Sequence, residues 1–238
     1  MVLSFTWLGH STYVLESDGR SLIIDPFLTN NPLVETTPDD IDVDLILLTH
    51  AHGDHTGYSD RGPAGDTLAI AERTGAMIVC NFEMGNWFMG QGVPEEQVFQ
   101  GNPGGTMRGD WADVKFTQAF HSSSFGDGSY GGQPNGLIIR AGGYTVYHAG
   151  DTSLFGDMTL IGDEGLDAAI LPIGDVFTMG VEDSIKAAKL LRAKYIIPCH
   201  YNTFPPIVQD AAAWADRINR DTNAQPIVID PGHSYTLE

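Results

Sequence analysis

Apolar and polar positions sort the chain into short β-like runs separated by fewer helical ones. FTWLGHSTYVLE and SLIIDP flank SDGR, which predicts two strands around a tight turn near the start. DLILLTH (Asp44 to His50) and GAMIVC (Gly75 to Cys80) are unbroken apolar runs of buried-strand length. Between them, DTLAIAERTG carries Asp at its start and Gly at its end, so the segment 66–75 is predicted as a helix. The glycine-rich text from Gly85 to Gly109 is expected to be mostly loop. DVKFTQAFH, NGLIIRAGGYTVYHAGD and LDAAILPIG follow as further strands, with AGG as a turn inside the second. Glu182 to Arg192 is amphipathic, with Ile185, Ala188 and Leu191 on one face. YIIPCH is a short strand, IVQDAAAWADRINRD a second amphipathic helix, and PIVIDPGHSYTL a closing strand and turn. Interleaved strands and helices point to an α/β (α+β) class with sheets covered by helices. No repeat or linker interrupts the pattern, so residues 1–238 are expected to form a single domain.

Composition narrows the partners. Hydrophobic residues are 42% and charged residues 18%, which sets aside disordered and fibrous classes. A formal charge of −19 argues against nucleic acid and anionic membrane surfaces, because both need clustered Lys and Arg. No run reaches the roughly 18–20 apolar residues of a membrane span, and MVLSFTWLGHSTYVLE lacks the basic start of a secretory signal. The expected location is therefore cytoplasmic. Cys80 and Cys199 both sit in apolar runs and read as small buried hydrophobes.

One segment stands apart chemically. Thr49-His50-Ala51-His52-Gly53-Asp54-His55 places three imidazoles and a carboxylate within six residues, directly after a strand. His50 and His52, two apart in extended chain, can point the same way, and Asp54 and His55 follow a turn at Gly53. Such a cluster would repel or stay unsatisfied without a cation, so metal binding is expected. His121, Asp151 and His200 each follow an apolar strand run. If those strands end along one sheet edge, all three converge on the HAHGDH loop. His10, in a strand-to-turn GHS, is either a hydrogen-bonded structural residue or a pocket residue. His148 and His233 read as structural, and Asn202 or Tyr201 as loop residues or as donors to a substrate oxyanion.

THAHGDH matches the metallo-β-lactamase superfamily motif T-H-x-H-x-D-H. WLGHST, AFHSSS, YHAGDTSLFGDM, LPIGDVFTMG, PCHYNTFP and PGHS extend the likeness over nearly the whole chain. In that order they resemble the UPF0173 metal-dependent hydrolases, relatives of the ascorbate-6-phosphate lactonases. The resemblance implies a four-layer αββα sandwich of two mixed sheets flanked by helices. It also implies two divalent transition-metal ions, with zinc or manganese first and iron or nickel compatible. By family pattern His50, His52 and His121 hold one ion, Asp54, His55 and His200 the other, and Asp151 bridges. Asp25 matches a carboxylate that hydrogen-bonds a ligand histidine. Val176 stands where the family usually has Asn, Cys199 where it has an aliphatic residue, and His233 near a usual Glu. Tyr58 to Gly65 reads as a short insertion.

The activity implied is hydrolysis of a small-molecule ester, lactone or phosphodiester by a metal-bridging hydroxide. Asp54 is the candidate proton acceptor, with His10 and Asn202 the further catalytic candidates. A di-iron redox or oxygen-handling protein is the alternative on the same scaffold, and a metal-storing protein without turnover the third. A homo-oligomer is compatible with the chain.

Overall fold

The computed structural model describes residues 2–237. In chain order, the first sheet draws on β1 (Leu3–Trp7), β2 (Tyr13–Ser17), β3 (Arg20–Ile24) and β4 (Leu45–Leu47). Helix α1 (Gly53–Thr56), a small hairpin of β5 (Tyr58–Ser59) and β6 (Gly62–Pro63), and α2 (Gly65–Thr74) come next. They lead to β7 (Met77–Asn81), α3 (Phe82–Gly90) and β8 (Val98–Gly101). The second sheet collects β9 (Thr106–Arg108), β10 (Ala112–Gln118), β11 (Asn135–Ala141), β12 (Tyr144–His148), β13 (Ala168–Pro172), β14 (Tyr195–Cys199) and β15 (Gln225–Pro226). Helices α4 (Met158–Gly162), α5 (Val181–Leu191) and α6 (Ala211–Asp221) lie in its crossovers, and β16 (Ser234–Leu237) returns to pair with β1.

Both sheets are mixed. The order β16-β1-β2-β3-β4-β7-β8 is antiparallel through β3 and parallel beyond it. The order β15-β14-β13-β12-β11-β10-β9 is parallel from β15 to β12 and antiparallel from there. Parallel neighbours require a crossover, and α2, α3, α4, α5 and α6 supply most of them.

The unbroken apolar runs follow from burial on two faces. Leu22, Ile24, Leu45, Leu47 and Val79 join the core between the sheets. Their neighbours Ile23, Ile46 and Ile78 pack outward against Ile70 and Ala71 of α2 and Met84 and Phe88 of α3. Alternation thus puts every other residue into a different core. On the second sheet, Ile185 and Leu191 of α5 and Trp214 and Ile218 of α6 join the shared core. The result is the αββα arrangement: helices, sheet, sheet, helices.

Three expectations are corrected. The segment from Gly85 to Gly109 is not mostly loop, since α3, β8 and β9 run through it. Its glycines serve close packing: a Cβ on Gly85 would meet Gln100 Cγ at 2.4 Å, and one on Gly101 would meet the Phe116 ring at 2.3 Å. The segment expected as one helix from Ile207 opens with a single turn at Pro205–Ile207, and α6 begins only after Asp210, whose side chain accepts from Ala213 N. Of the closing run PIVID only Pro226 belongs to a strand, the two-residue β15, so the terminal strand is β16.

Candidate metal centre

The chemistry-bearing residues gather where strands end. His10 follows β1, Asp25 follows β3, His50 follows β4, His121 follows β10, Asp151 follows β12 and His200 follows β14. This is the edge at which open α/β sheets place their ligand sites. After β4 the chain turns into α1, a single turn whose start at His52 and Gly53 presents Asp54 and His55. Gly57, at φ 76°, lets α1 lie against α2, because a Cβ there would strike Asp66 at 2.3 Å. Asp66 in turn accepts from Leu28 N and Thr29 N at 2.8 Å, tying this turn to the loop after β3.

The structure brings all seven candidate ligands together, in two sets. His50, His52 and His121 each offer an atom within 4.8 Å of the others, as do Asp54, His55 and His200 together with His10. Asp151 joins the sets: its Oδ2 lies 3.5 Å from His121 Nε2, 3.3 Å from His55 Nε2 and 3.0 Å from His200 Nε2. His50 Nε2 and His52 Nδ1 face each other at 2.9 Å.

A buried carboxylate behind the cluster sets the tautomers. Asp25 Oδ1 accepts from Thr49 N at 2.8 Å, and its Oδ2 accepts from Thr49 Oγ1 at 2.6 Å. The same Oδ2 lies 2.8 Å from His55 Nδ1. A carboxylate only accepts, so His55 carries a proton on Nδ1 and turns its Nε2 edge to the cluster. Thr49, having given its proton to Asp25, accepts from His50 Nδ1 at 3.0 Å, which leaves the His50 Nε2 lone pair facing inward. The sequence singled out Asp25 through its resemblance, and the structure agrees. The Thr49 relay was missed, although its hydroxyl immediately precedes the first ligand histidine.

Backbone strain collects here as well. His10, Asp25 and His200 take φ of 53°, 47° and 54°, left-handed values that side chains other than glycine rarely adopt. Thr12 Oγ1 donates to Asp25 O at 2.6 Å, and His200 N donates to His10 O at 2.9 Å, which holds two of these turns in place.

Electrostatically the cluster favours positive charge. Burial holds His50 well below its ordinary value, and burial likewise lowers His52 and His121, which keeps these imidazoles neutral. Burial, with His200 nearby, pushes His10 down to about 4. Burial would lower His55 too, but Asp151 and Asp25 outweigh it and raise His55 well above the ordinary range. Burial opposes ionisation of Asp151, yet His200 and His55 hold it well below the carboxylate range. Among the described residues, eight buried side-chain polar atoms lack an aligned hydrogen-bond partner. Half of them, His10 Nε2, His55 Nε2, Asp151 Oδ1 and His200 Nδ1, lie in this one cluster. Neutral His50, His52 and His121 beside the ionised Asp151 fit a divalent transition ion.

The remaining candidates fall elsewhere. His10 Nε2 lies 3.2 Å from Asp54 Oδ2 and its Nδ1 2.9 Å from Thr203 Oγ1, so His10 belongs to the cluster rather than to a remote turn. Asn202 Oδ1 accepts from Gln209 N at 2.8 Å, and the residue lies outside the cavity lining. Tyr201 is buried and stacked on Trp7. His148 and His233 bond backbone groups, and Cys199 is buried with its thiol pushed up by burial. Tyr58 to Gly65 forms the β5–β6 hairpin and the start of α2.

A cavity of about 420 Å³ opens over the cluster, lined by His52, Asp54, His121, Asp151 and His200 together with Ser122, Phe177, Phe204 and Pro206. Two facing mixed sheets with histidine and aspartate loops at one edge define the metallo-β-lactamase class. The β-lactamase superfamily domain matches residues 4–200. A UPF0173 metal-dependent hydrolase of Thermus thermophilus is 45% identical over 232 residues, covering 98% of both chains. One from Geobacillus thermodenitrificans is 47% identical over 240 residues, covering 99% of this chain and all of the relative. Igni18, a metallo hydrolase from the archaeon Ignicoccus hospitalis, superposes with TM-score 0.88 at 38% identity, covering 100% of this chain and 99% of its own. The chain belongs to the UPF0173 metal-dependent hydrolases of the metallo-β-lactamase superfamily. It is a metal-dependent hydrolase, and among its described residues no helix is long and apolar enough to cross a membrane.

Proposed function

We propose that this enzyme is a binuclear hydrolase of small ester, lactone or phosphodiester substrates. The observation that carries the reading is one carboxylate, Asp151, touching members of two ligand sets. Seven donors are too many for one tetrahedral ion and suit two. His50, His52 and His121 would hold one ion, Asp54, His55 and His200 the other, and Asp151 both. Zinc or manganese suits this mixture of imidazole and carboxylate, as do iron and nickel. Bound ions supply a nucleophilic water ionised near neutral pH and Lewis-acid polarisation of the scissile group.

The chain's own residues supply the rest. Asp25 and Thr49 fix the ring faces of His55 and His50 before substrate arrives. Asp54 lines the cavity, so its carboxylate is placed to take a proton from attacking water and return it to the leaving oxygen. His10 lies behind Asp54, with Nε2 3.2 Å from Asp54 Oδ2 and Nδ1 2.9 Å from Thr203 Oγ1. His10 thereby orients Asp54. The test combines elemental analysis of protein reconstituted with zinc or manganese and a panel of esters, lactones and phosphodiesters. Two ions per chain with turnover of one class is expected. One ion or fewer with all seven side chains intact, or no turnover across the panel, would sink the reading.

A further inference from the structure

The walls of the cavity differ from its floor. Beyond the candidate ligands they consist of Phe177, Phe204, Pro206 and the single polar residue Ser122. None of the chain's twelve Lys and Arg residues lines the cavity. Eleven of the twelve lie within 4.0 Å of a carboxylate elsewhere on the molecule. The net charge of −19 adds a field that repels anions approaching from solvent.

The loop between β13 and α5 shapes one wall at a conformational cost. Asp175 and Val176 take consecutive left-handed conformations, at φ 64° and 58°. For a β-branched valine that is an outlier, and such strain persists only where the surroundings impose it. A bridge between Gly174 and Gly180 closes the loop. Its tip exposes Val176 at 65% and Phe177 at 55%, two apolar side chains in water beside a polar cluster.

Resting on the hydrolase reading above, we propose that the substrate is an uncharged ester or lactone with an apolar alkyl or aryl group seated against Phe177, Phe204 and Pro206. An uncharged acyl compound meets no electrostatic barrier on entry. A phosphodiester, or an ester with an anionic tail, brings charge to a wall with no lysine or arginine to receive it. Val176 is the neighbouring exposed apolar side chain of the same loop, and its strain is the cost of placing Phe177 at the wall.

Two measurements on zinc-loaded protein separate this inference from the hydrolytic reading. Calorimetry compares 2-phenylethanethiol with 3-mercaptopropionate, which share a metal-seeking thiol and differ in an apolar or anionic tail. The phenyl compound should bind at least about tenfold tighter, as expected for burying one aromatic face. Phe177→Ala should reduce that ratio at least about threefold. Val176→Asn should reduce it in the same direction while keeping or raising thermal stability, because Asn tolerates the left-handed region better. Turnover then compares phenyl butyrate with monophenyl succinate, and kcat/KM should favour the neutral ester. Equal or tighter binding of 3-mercaptopropionate, or an unchanged ratio in Phe177→Ala, would overturn the inference. A retained thiol preference with no turnover of any ester or lactone would overturn the hydrolytic reading and leave the apolar wall standing. Brisk turnover with the anionic tail preferred would overturn the apolar wall alone.

Discussion

The two ligand sets that Asp151 joins are built differently. In the first, His50 is buried but His52 and His121 are half-buried and border the cavity. In the second, His55 and His200 are buried, and His10, also buried, backs Asp54. That set is tied to the scaffold three times: His55 to Asp25, His10 to Thr203, and His200 N to His10 O. The first set has one such tie, through Thr49 to His50. The second half is thus tied more firmly into the packed interior and the first is a looser rim, although each lends two ligands to the wall of the cavity that substrate reaches. Losing a ligand should therefore cost fold in one half and mainly metal in the other.

Asp151→Ala erases the comparison, because Asp151 is the residue both halves share. The expected result is loss of metal from both sets and a fall in turnover of more than about a hundredfold, beyond what losing an outer hydrogen-bond partner costs. Elemental analysis and kinetics check it, and retention of two ions at wild-type rate would refute the bridging role. Asp25→Asn comes next. An amide in place of the carboxylate keeps one acceptor and turns its NH2 toward either Thr49 N–H or the pair, Thr49 Oγ1–H and His55 Nδ1–H, that share Oδ2. Metal affinity should fall about 10–100-fold, measured by competition with a chelator. An unchanged affinity would mean that the tautomers are set by something else.

His200→Ala against His121→Ala tests the asymmetry itself. Each should lose one ion. Truncating buried His200 should also destabilise the metal-free protein by about 2–4 kcal/mol, whereas His121, partly exposed and without a hydrogen bond to the scaffold, should cost under about 1 kcal/mol. Equal losses in denaturant unfolding would break the distinction between interior and rim.

The sequence exposed the rim and the interior unequally. HAHGDH announces itself by density, since four potential ligands in six residues have no ordinary structural explanation. Strand-end placement of His121, Asp151 and His200 was readable from the apolar runs before them, and their convergence follows from the sheet order. What escaped were the hydroxyl ties. Thr49 and Thr203 are common residue types whose role depends on which group lies opposite in space, separated by 24 residues from Asp25 and 193 from His10. Asn202 is a similar case: its Oδ1 accepts from Gln209 N seven residues on, a partner that the sequence does not announce. Gly85 and Gly101 read as loop signals, yet they are sites where a neighbouring side chain occupies the space of a Cβ. Close packing and flexibility select the same residue, and sequence alone does not separate them.

The smallest expected effect on metal belongs to His148, which lies as near to Asp151 in sequence as any ligand does. Its Nε2 lies 3.2 Å from Ser11 O, and a carbonyl only accepts, so Nε2 carries the proton and donates it. Its Nδ1 accepts from Gly150 N at 3.1 Å. Both ring nitrogens are therefore spent on backbone, and no lone pair remains for a cation. Burial lowers its pKa, which keeps the ring neutral and this pattern intact. His148→Ala should leave metal content near wild type. It should nonetheless destabilise the fold, because Ser11 O and Gly150 N lose their partner at about 1–3 kcal/mol each and a cavity opens beside Tyr13. His148→Gln, which can serve one of the two backbone groups, should recover part of that loss. Elemental analysis beside denaturant unfolding distinguishes the cases: stability lost with metal kept places His148 in the scaffold of the interior half. Metal lost from a folded His148→Gln protein would instead make it part of the site and undo the division drawn between the ligands and what supports them.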